Sequence, residues 1–486
     1  MSDFLVDGLL RASAGEQLDA LARGTLSAVE LLALTRDAVD RVNPVINAIV
    51  STDFESAQRA AAASDARRAR GLAARPLEGL PVAVKDLQDT AGLRTTYGSL
   101  RHADHVPSRD ALVVSRLRHA GAVIYGKTNT PEFGTGSHTY NRVFGLTSNP
   151  YAGDRSAGGS SGGAAAALAT GLTSVADGSD MGGSLRNPAA FCNVVGLRPS
   201  AGRVPNVAGD AWDTLATAGP MARTVGDTAL LLSALAGPDT RSALALTEGF
   251  PARVPALAEP LRIGWSRTVG GLDIEPEVTR VLDEDGRPAL LSLGHSVVDV
   301  EPRLEDADDV FRTFRALLYA REFSGALREE RDLLGAELIT NTEDGLRITV
   351  EQVQTAFARR ERVFASMMSL FDDIDVLAAP VTSVLPFPVS TTWPREINGI
   401  EQTDYLQWMR PCWRITVTGF VALSVPCGFS EDGLPVGLQL IAPPRQEALL
   451  LALAQQFETA RPVWRQAPPV HRRAVAGVRE DPRGTR

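Results

Sequence analysis

The 486-residue sequence predicts an α/β fold, a single large domain with a mixed central β-sheet surrounded by helices. Short apolar runs of strand length recur along the whole chain, at Gly79–Leu87, Ala122–Tyr125, Leu261–Trp265, Asp375–Pro380, Leu423–Pro426 and Val436–Ile441. Helical patterns lie between them on both sides of residue 240, which favours one wrapped sheet over the two to four domains that length alone suggests. The composition, 44% hydrophobic and 22% charged, is that of an ordinary globular core and surface.

Taken in order, residues 14–42 read as two amphipathic helices, the second opened by a Ser27–Glu30 capping box and ended by Asn43-Pro44. Residues 55–70 form a third helix. Val82 and Val84 are β-branched, so the strand at 79–87 is interior and carries Lys85 to its end. A helix at 110–120 and the strand at 122–125 follow, then a loop-rich stretch over 131–157. A helix starts at Ala164, and Pro188 suits the first turn of another. Residues 224–236, 275–293, most of 304–370 and 445–460 are helical. The stretch 381–418 is irregular and holds Trp393, Trp408 and Trp413, which points to a large apolar pocket. The tail from Pro468 is rich in Pro, Gly and Arg and is expected to be disordered.

Composition excludes several functions. A net charge of −9 with no basic stripe argues against a nucleic-acid surface. Three cysteines (Cys192, Cys412, Cys427) form neither a disulfide framework nor a metal spacing, and a reducing cytoplasm fits them. Cys192 follows an apolar Ala-Ala-Phe and reads as buried packing. The six histidines show no metal spacing either, so no metal or other cofactor is expected. The start MSDFLVDGLL lacks the features of a signal peptide, and no apolar run spans a membrane.

The chemistry is concentrated in Arg155–Pro199, where two glycine-flanked serine clusters occur, Gly158-Gly-Ser160-Ser161-Gly-Gly163 and Gly182-Gly183-Ser184. Glycines on either side of serine imply positive φ or close approach of the backbone to something else, at an entropic cost that plain structure explains poorly. The chain has only two lysines, Lys85 and Lys127, against 47 arginines. Arginine cannot deprotonate, whereas a buried lysine can serve as a general base. A lysine kept in this background is one that arginine cannot replace.

Two motif matches mislead. Gly121–Thr128 fits GxxxxGK[ST] letter for letter, but its Val-Ile-Tyr interior favours extended structure over a phosphate nest. Gly158–Gly162 fits the GxSxG nucleophile elbow, but no strand precedes it. The histidine of such a triad would have to be His295, in a turn, or His471, in the tail.

The arrangement that survives is a serine activated by a lysine. Here the sequence resembles the amidase signature family, through Gly79–Asp86, Gly126–Gly134, Gly158–Gly163, Ser179–Arg186, Val195–Pro199 and Gly433–Ile441. The resemblance covers most of residues 1–467. Its motif core lies at about 79–210, and a weaker, substrate-shaping region at about 240–420. It implies the family's fold, Ser184 as nucleophile, Ser160 as a bridging serine held in a cis peptide, and Lys85 as base. Ser160 and Ser184 stand at the family's separation, 24 residues. It further implies an oxyanion hole from the backbone N–H groups of Met181, Gly182, Gly183 and Ser184. Ser161 is the second candidate bridge, Ser179 and Asp180 orient the loop, and Lys127 gives structural support. Arg186 either pairs at the helix start or meets substrate. Met181 and Asp177 depart from the usual pattern, and either could reshape the acyl side of the pocket.

The implied activity is hydrolysis of a linear amide, with carbamates (a urethanase) and esters (an esterase) as related substrates. The implied partners are a small amide-type molecule and water, with the chain a monomer or homodimer. The same triad occurs in the amidating A-type subunit of tRNA-dependent amidotransferases, which uses glutamine and works in a complex. That is the alternative reading. A non-catalytic scaffold fits poorly, because all three triad positions are filled.

Overall fold

The structure is a computed structural model that describes residues 8–207 and 211–470. Local signals start the first helices. Ser13 and Ser27 each close a capping box, with Glu16 and Glu30, at the heads of α1 (Ala14–Ala22) and α2 (Ala28–Ile46). Asn43-Pro44 does not end α2, which runs on to Ile46. The carbonyl that Pro44 leaves unpaired belongs to exposed Asp40, so the cost is small. Asn43 then shapes the exit by accepting the N–H groups of Ala48 and Ile49, each at 2.8 Å. The third helix, α3 (Phe54–Ala69), packs with α2 over a small sheet.

That small sheet has three strands in the order β1 (Ile49–Thr52), β3 (Val123–Thr128), β2 (Pro81–Lys85). β3 is antiparallel to β1 and parallel to β2. The segment that mimics a phosphate loop is therefore an extended central strand. β2 is interior in burial, since all five of its residues are buried, but it is an edge strand of its sheet, not a middle one. Side chains of the next layer cover its open edge: Thr173 Oγ1 accepts the Ala83 N–H (3.2 Å) and Asp177 Oδ1 accepts the Lys85 N–H (2.9 Å).

The large sheet has eight strands. Two short hairpins stand apart from it, β4–β5 (Tyr140–Asn141, Gly145–Leu146) and β12–β13 (Glu396–Ile397, Ile400–Glu401). Its strands are β6 (Val175–Asp180), β7 (Val195–Arg198), β8 (Thr217–Ala222), β9 (Arg262–Trp265), β10 (Ser296–Asp299), β11 (Val376–Pro380), β14 (Val421–Phe429) and β15 (Pro435–Ala442). They are ordered β10-β9-β11-β15-β14-β7-β8-β6. β9 is parallel to β10 and β11, and the other pairings are antiparallel, so the sheet is mixed as predicted. β6 lies at the outer edge and packs against β2 of the small sheet. The two sheets thus meet edge to edge at Lys85.

Among the helices, α4 (Leu112–His119) packs on α7 (Val225–Leu235), and α5 (Gly162–Ala169), α6 (Arg186–Phe191) and α7 pack between or against the sheets. The segment Pro276–Ser292 is α8 (Pro276–Val281) and α9 (Arg287–Ser292) joined by a π-turn, not one regular helix. Next come α10 (Ala307–Glu329), α11 (Ala336–Leu346) and α12 (Val350–Leu370). The stretch 381–418 is less irregular than expected, because its last nine residues form a helix, α13 (Arg410–Thr418), buried at every position but Arg410 and with Pro411 in its first turn. α14 (Glu447–Ala460) closes the described chain.

Of the tail, Pro468 and Val470 are buried, contrary to expectation; the remainder, with His471, lies outside the described residues. Among those residues no helix is long and apolar enough to cross a membrane.

Candidate active site

Four elements place their side chains at the junction of the two sheets. β2 ends at Lys85, which is wholly buried. Its Nζ donates to Ser160 Oγ (2.8 Å) and Ser161 Oγ (2.9 Å), from the loop before α5, and to Ser179 Oγ (3.0 Å), on β6. Burial pulls the Lys85 amine down to about 7, against the opposing pull of Asp177 and Asp180. At neutral pH a large share of this lysine is therefore the free amine.

The glycines explain how the serines come this close. Gly158 has φ 73°, and a Cβ there would stand 2.8 Å from Asn187 Oδ1. That same Oδ1 accepts the N–H of Gly159 (3.0 Å), and the Gly159–Ser160 peptide is cis, as the resemblance implies. Gly183 has φ 107°, and a Cβ on it would lie 2.4 Å from Cys412 Cβ. Asn187 is a supporting residue that sequence reasoning missed, although it directly follows the Ser179–Arg186 stretch, three positions after Ser184.

Asp180 holds the second serine loop. Its carboxylate takes a two-pronged ion pair from Arg186, Nε to Oδ2 (2.9 Å) and Nη2 to Oδ1 (2.8 Å), with both side chains wholly buried. It also accepts the N–H groups of Gly183 (3.0 Å) and Leu185 (3.2 Å). Burial alone would raise this carboxyl, but Arg186 and Arg198 overcome it and hold the group at about 2. Arg186 further donates to Cys412 O, Gln439 Oε1 and Thr416 Oγ1, so of its two readings the pairing one describes its place. Lys127 donates to Gln88 O and Thr90 Oγ1 and does not reach the serines.

The N–H of Gly183 is engaged by Asp180, which leaves a narrower donor set than the four expected. Among the described residues no hydrogen bond occupies the N–H of Met181, Gly182 or Ser184. Ser184 and Ser160 open onto one cavity of about 280 Å³. Its walls include Phe133, Met181, Leu318, Tyr319 and Phe323, and Glu322 also lines it. Phe133 and Met181 lie within the Gly126–Gly134 and Ser179–Arg186 stretches, whereas Leu318, Tyr319, Glu322 and Phe323 come from α10, which no motif marks.

Two expectations about the pocket are overturned. Trp408 stacks on Phe191 and Trp413 on Phe311, both wholly buried in the core, and Trp393 is likewise absent from the cavity wall. Trp408 and Trp413 fill space between layers and do not line this cavity. Met181 does line the cavity, but Asp177 lies behind Lys85 and does not.

Other reactive side chains are occupied elsewhere. His295 accepts the Leu261 N–H through Nδ1 and meets Gln456 through Nε2. All three cysteines are buried free thiols, and Cys192 lies against Ala157 O. Among the described residues no group of three or more His, Cys, Asp or Glu side chains is placed to hold a metal ion.

Comparison with known proteins agrees with this geometry. An acylamidase from Rhodococcus erythropolis is 36% identical, over 96% of this chain and 98% of its own. The A-type subunit of the glutamyl-tRNA(Gln) amidotransferase from Thermus thermophilus is 37% identical, over 90% and 95%. Among solved structures, a bacterial aryl acylamidase of the amidase signature family superposes with a TM-score of 0.87 at 29% identity, covering 94% of this chain and 98% of that one. The Amidase family model matches residues 30–451, and a buried lysine bound to signature-loop serines lies inside that match. The chain is therefore a member of the Amidase family, a hydrolase of carbon–nitrogen bonds in amides.

Proposed function

We propose that this amidase works through an acyl-enzyme on Ser184, with Ser160 as relay and Lys85 as base. The observation that carries the reading is the wholly buried Lys85, its Nζ 2.8 Å from Ser160 Oγ, behind the wall of a cavity that Ser160 and Ser184 share. The Ser184 oxygen attacks the amide carbon while its proton passes to Ser160 and that of Ser160 to the neutral amine of Lys85. The N–H groups of Met181, Gly182 and Ser184 receive the oxyanion. Gly183 contributes conformation, since its own N–H serves Asp180. The proton returns by the same path to the leaving nitrogen, and water then cleaves the ester.

The aromatic wall of Phe133, Tyr319 and Phe323 supports substrates with a sizeable apolar or aryl group beside the scissile bond. Aryl anilides head that set, with carbamates and esters of the same shape as secondary substrates. The chain acts as a monomer or homodimer on a small molecule and water, without nucleic acid, in the cytoplasm, where its three buried thiols stay reduced.

The competing reading is the glutamine-using component of an amidotransferase, favoured by relatives of the same identity range. A hydrolysis screen on the purified chain alone separates the two. Cleavage of anilides, with an acyl adduct mapped to Ser184 by mass spectrometry, is expected. Glutaminase activity that appears only when the other amidotransferase components are added would overturn the hydrolase reading.

A further inference from the structure

The edge of β2 presents two N–H groups to the layer of β6. Thr173 answers the first with a neutral hydroxyl (3.2 Å to Ala83 N), and Asp177 answers the second with a carboxylate (2.9 Å to Lys85 N). Capping this edge therefore does not require a charge. Asp177 is wholly buried, and its second oxygen, Oδ2, has no hydrogen-bond partner among the described residues. Burial raises the Asp177 carboxyl, and the Lys85 N–H together with the Lys127 and Lys85 ammonium groups draws it back toward the carboxylate.

The surroundings show where the charge is directed. Asp177 and Ser179 lie two positions apart on β6 and share a face, about 7 Å from one another along the strand. Ser179 meets the Nζ of Lys85 and Asp177 meets its main-chain N–H, so one strand face grips both ends of the lysine. Of the charged groups around the amine, Asp180 on the same strand is taken up by Arg186 and Arg198. Lys127, from β3, faces both Asp177 and Asp86 and is tied to Gln88 and Thr90. Ser160 and Ser161, before α5, bring no charge. Asp177 meets no arginine; its charge is shared between Lys127 and Lys85, and on Lys85 it acts to keep the amine protonated against burial.

We propose that Asp177 is a positioning residue for Lys85, anchoring its main chain at the sheet junction and holding there a negative charge that sets the pH at which the side-chain amine gains and loses its proton. This rests on Lys85 being the base of the amidase reaction. The charge keeps Lys85 from remaining a permanent free amine, so that it can both take the serine proton and hand it on.

The test uses the full chain labelled with 13Cε-lysine. Two lysines give two side-chain signals, and Lys85→Arg identifies the one from Lys85. The signal is titrated in the wild type and in Asp177→Asn, which keeps an acceptor for the Lys85 N–H and removes the charge. Loss of a nearby negative charge disfavours the ammonium, so the Lys85 midpoint is expected to fall by about 1 pH unit. The rising limb of kcat against pH should fall with it, leaving the variant with more of its plateau rate on the acid side. A Lys85 midpoint that stays in place overturns the proposal, whatever happens to the rate. A midpoint that falls while the kcat limb stays fixed upholds the role of Asp177 and removes Lys85 as the base. Should the carboxamide variant not fold, Asp177→Ser, a smaller neutral acceptor, carries the same expectation.

Discussion

Lys85 donates to three serine hydroxyls, and only its neutral form can take a proton from one of them. Activity should therefore be present above the Lys85 midpoint of about 7 and lost as pH falls through it, which a kcat–pH profile measures. Lys85→Arg keeps a cation that cannot deprotonate, and should be inactive at every pH while still folding. Ser184→Ala should lower kcat by at least about 10⁴-fold with an unchanged circular dichroism spectrum, because the attacking oxygen is gone. Near-normal turnover in either variant would remove that residue from the mechanism.

At the scale of elements, Arg186 joins β6, α6, α13 and β15 through Asp180, Thr416, Cys412 and Gln439. Arg186→Ala leaves the Asp180 carboxylate buried beside Arg198 alone, and should cost about 3–5 kcal/mol in urea unfolding. These contacts also show what was legible in the sequence. The helices with caps or strong periodicity and the longer runs of Val, Leu and Ile were readable in advance, whereas the four-residue strands β1, β7 and β10 were not. β6 was not, because its second half is Gly-Ser-Asp, residues that disfavour strands. Gly178 is there because a Cβ would stand 2.8 Å from Ser161 Oγ and 2.6 Å from a Leu185 methyl. β8 escaped notice for the same kind of reason, with Gly219 and Pro220 in its middle. The signature residues of the site could be read in order, since each lies in a motif. The cavity wall on α10 could not, because Leu318, Tyr319 and Phe323 look like any helix core until the fold turns them toward Ser184.

In the whole molecule, the site has no sheet of its own. Lys85 comes from the three-stranded sheet, Ser179 from the edge strand of the eight-stranded one, and Ser184 from the loop that leaves that strand. One continuous apolar core nevertheless runs through both, including Val82, Val84 and Ile124 on one side and Leu197, Ile263, Leu377, Leu423 and Leu440 on the other. The sheets should therefore not separate before the molecule melts. Loss of activity and loss of circular dichroism on heating are expected to coincide, and inactivation well below the structural transition would mean that the junction opens first.

The lysine count has a consequence for handling the protein. Both lysines are at 0% exposure, so the folded surface offers no ε-amine at all. Acylating and cross-linking reagents that attack lysine should leave Lys85 and Lys127 unmodified in the native state and mark both once the chain is unfolded. Peptide mapping before and after denaturation would read this directly. Glutaraldehyde or succinimidyl supports, the common means of immobilising an enzyme, would find no lysine to grip.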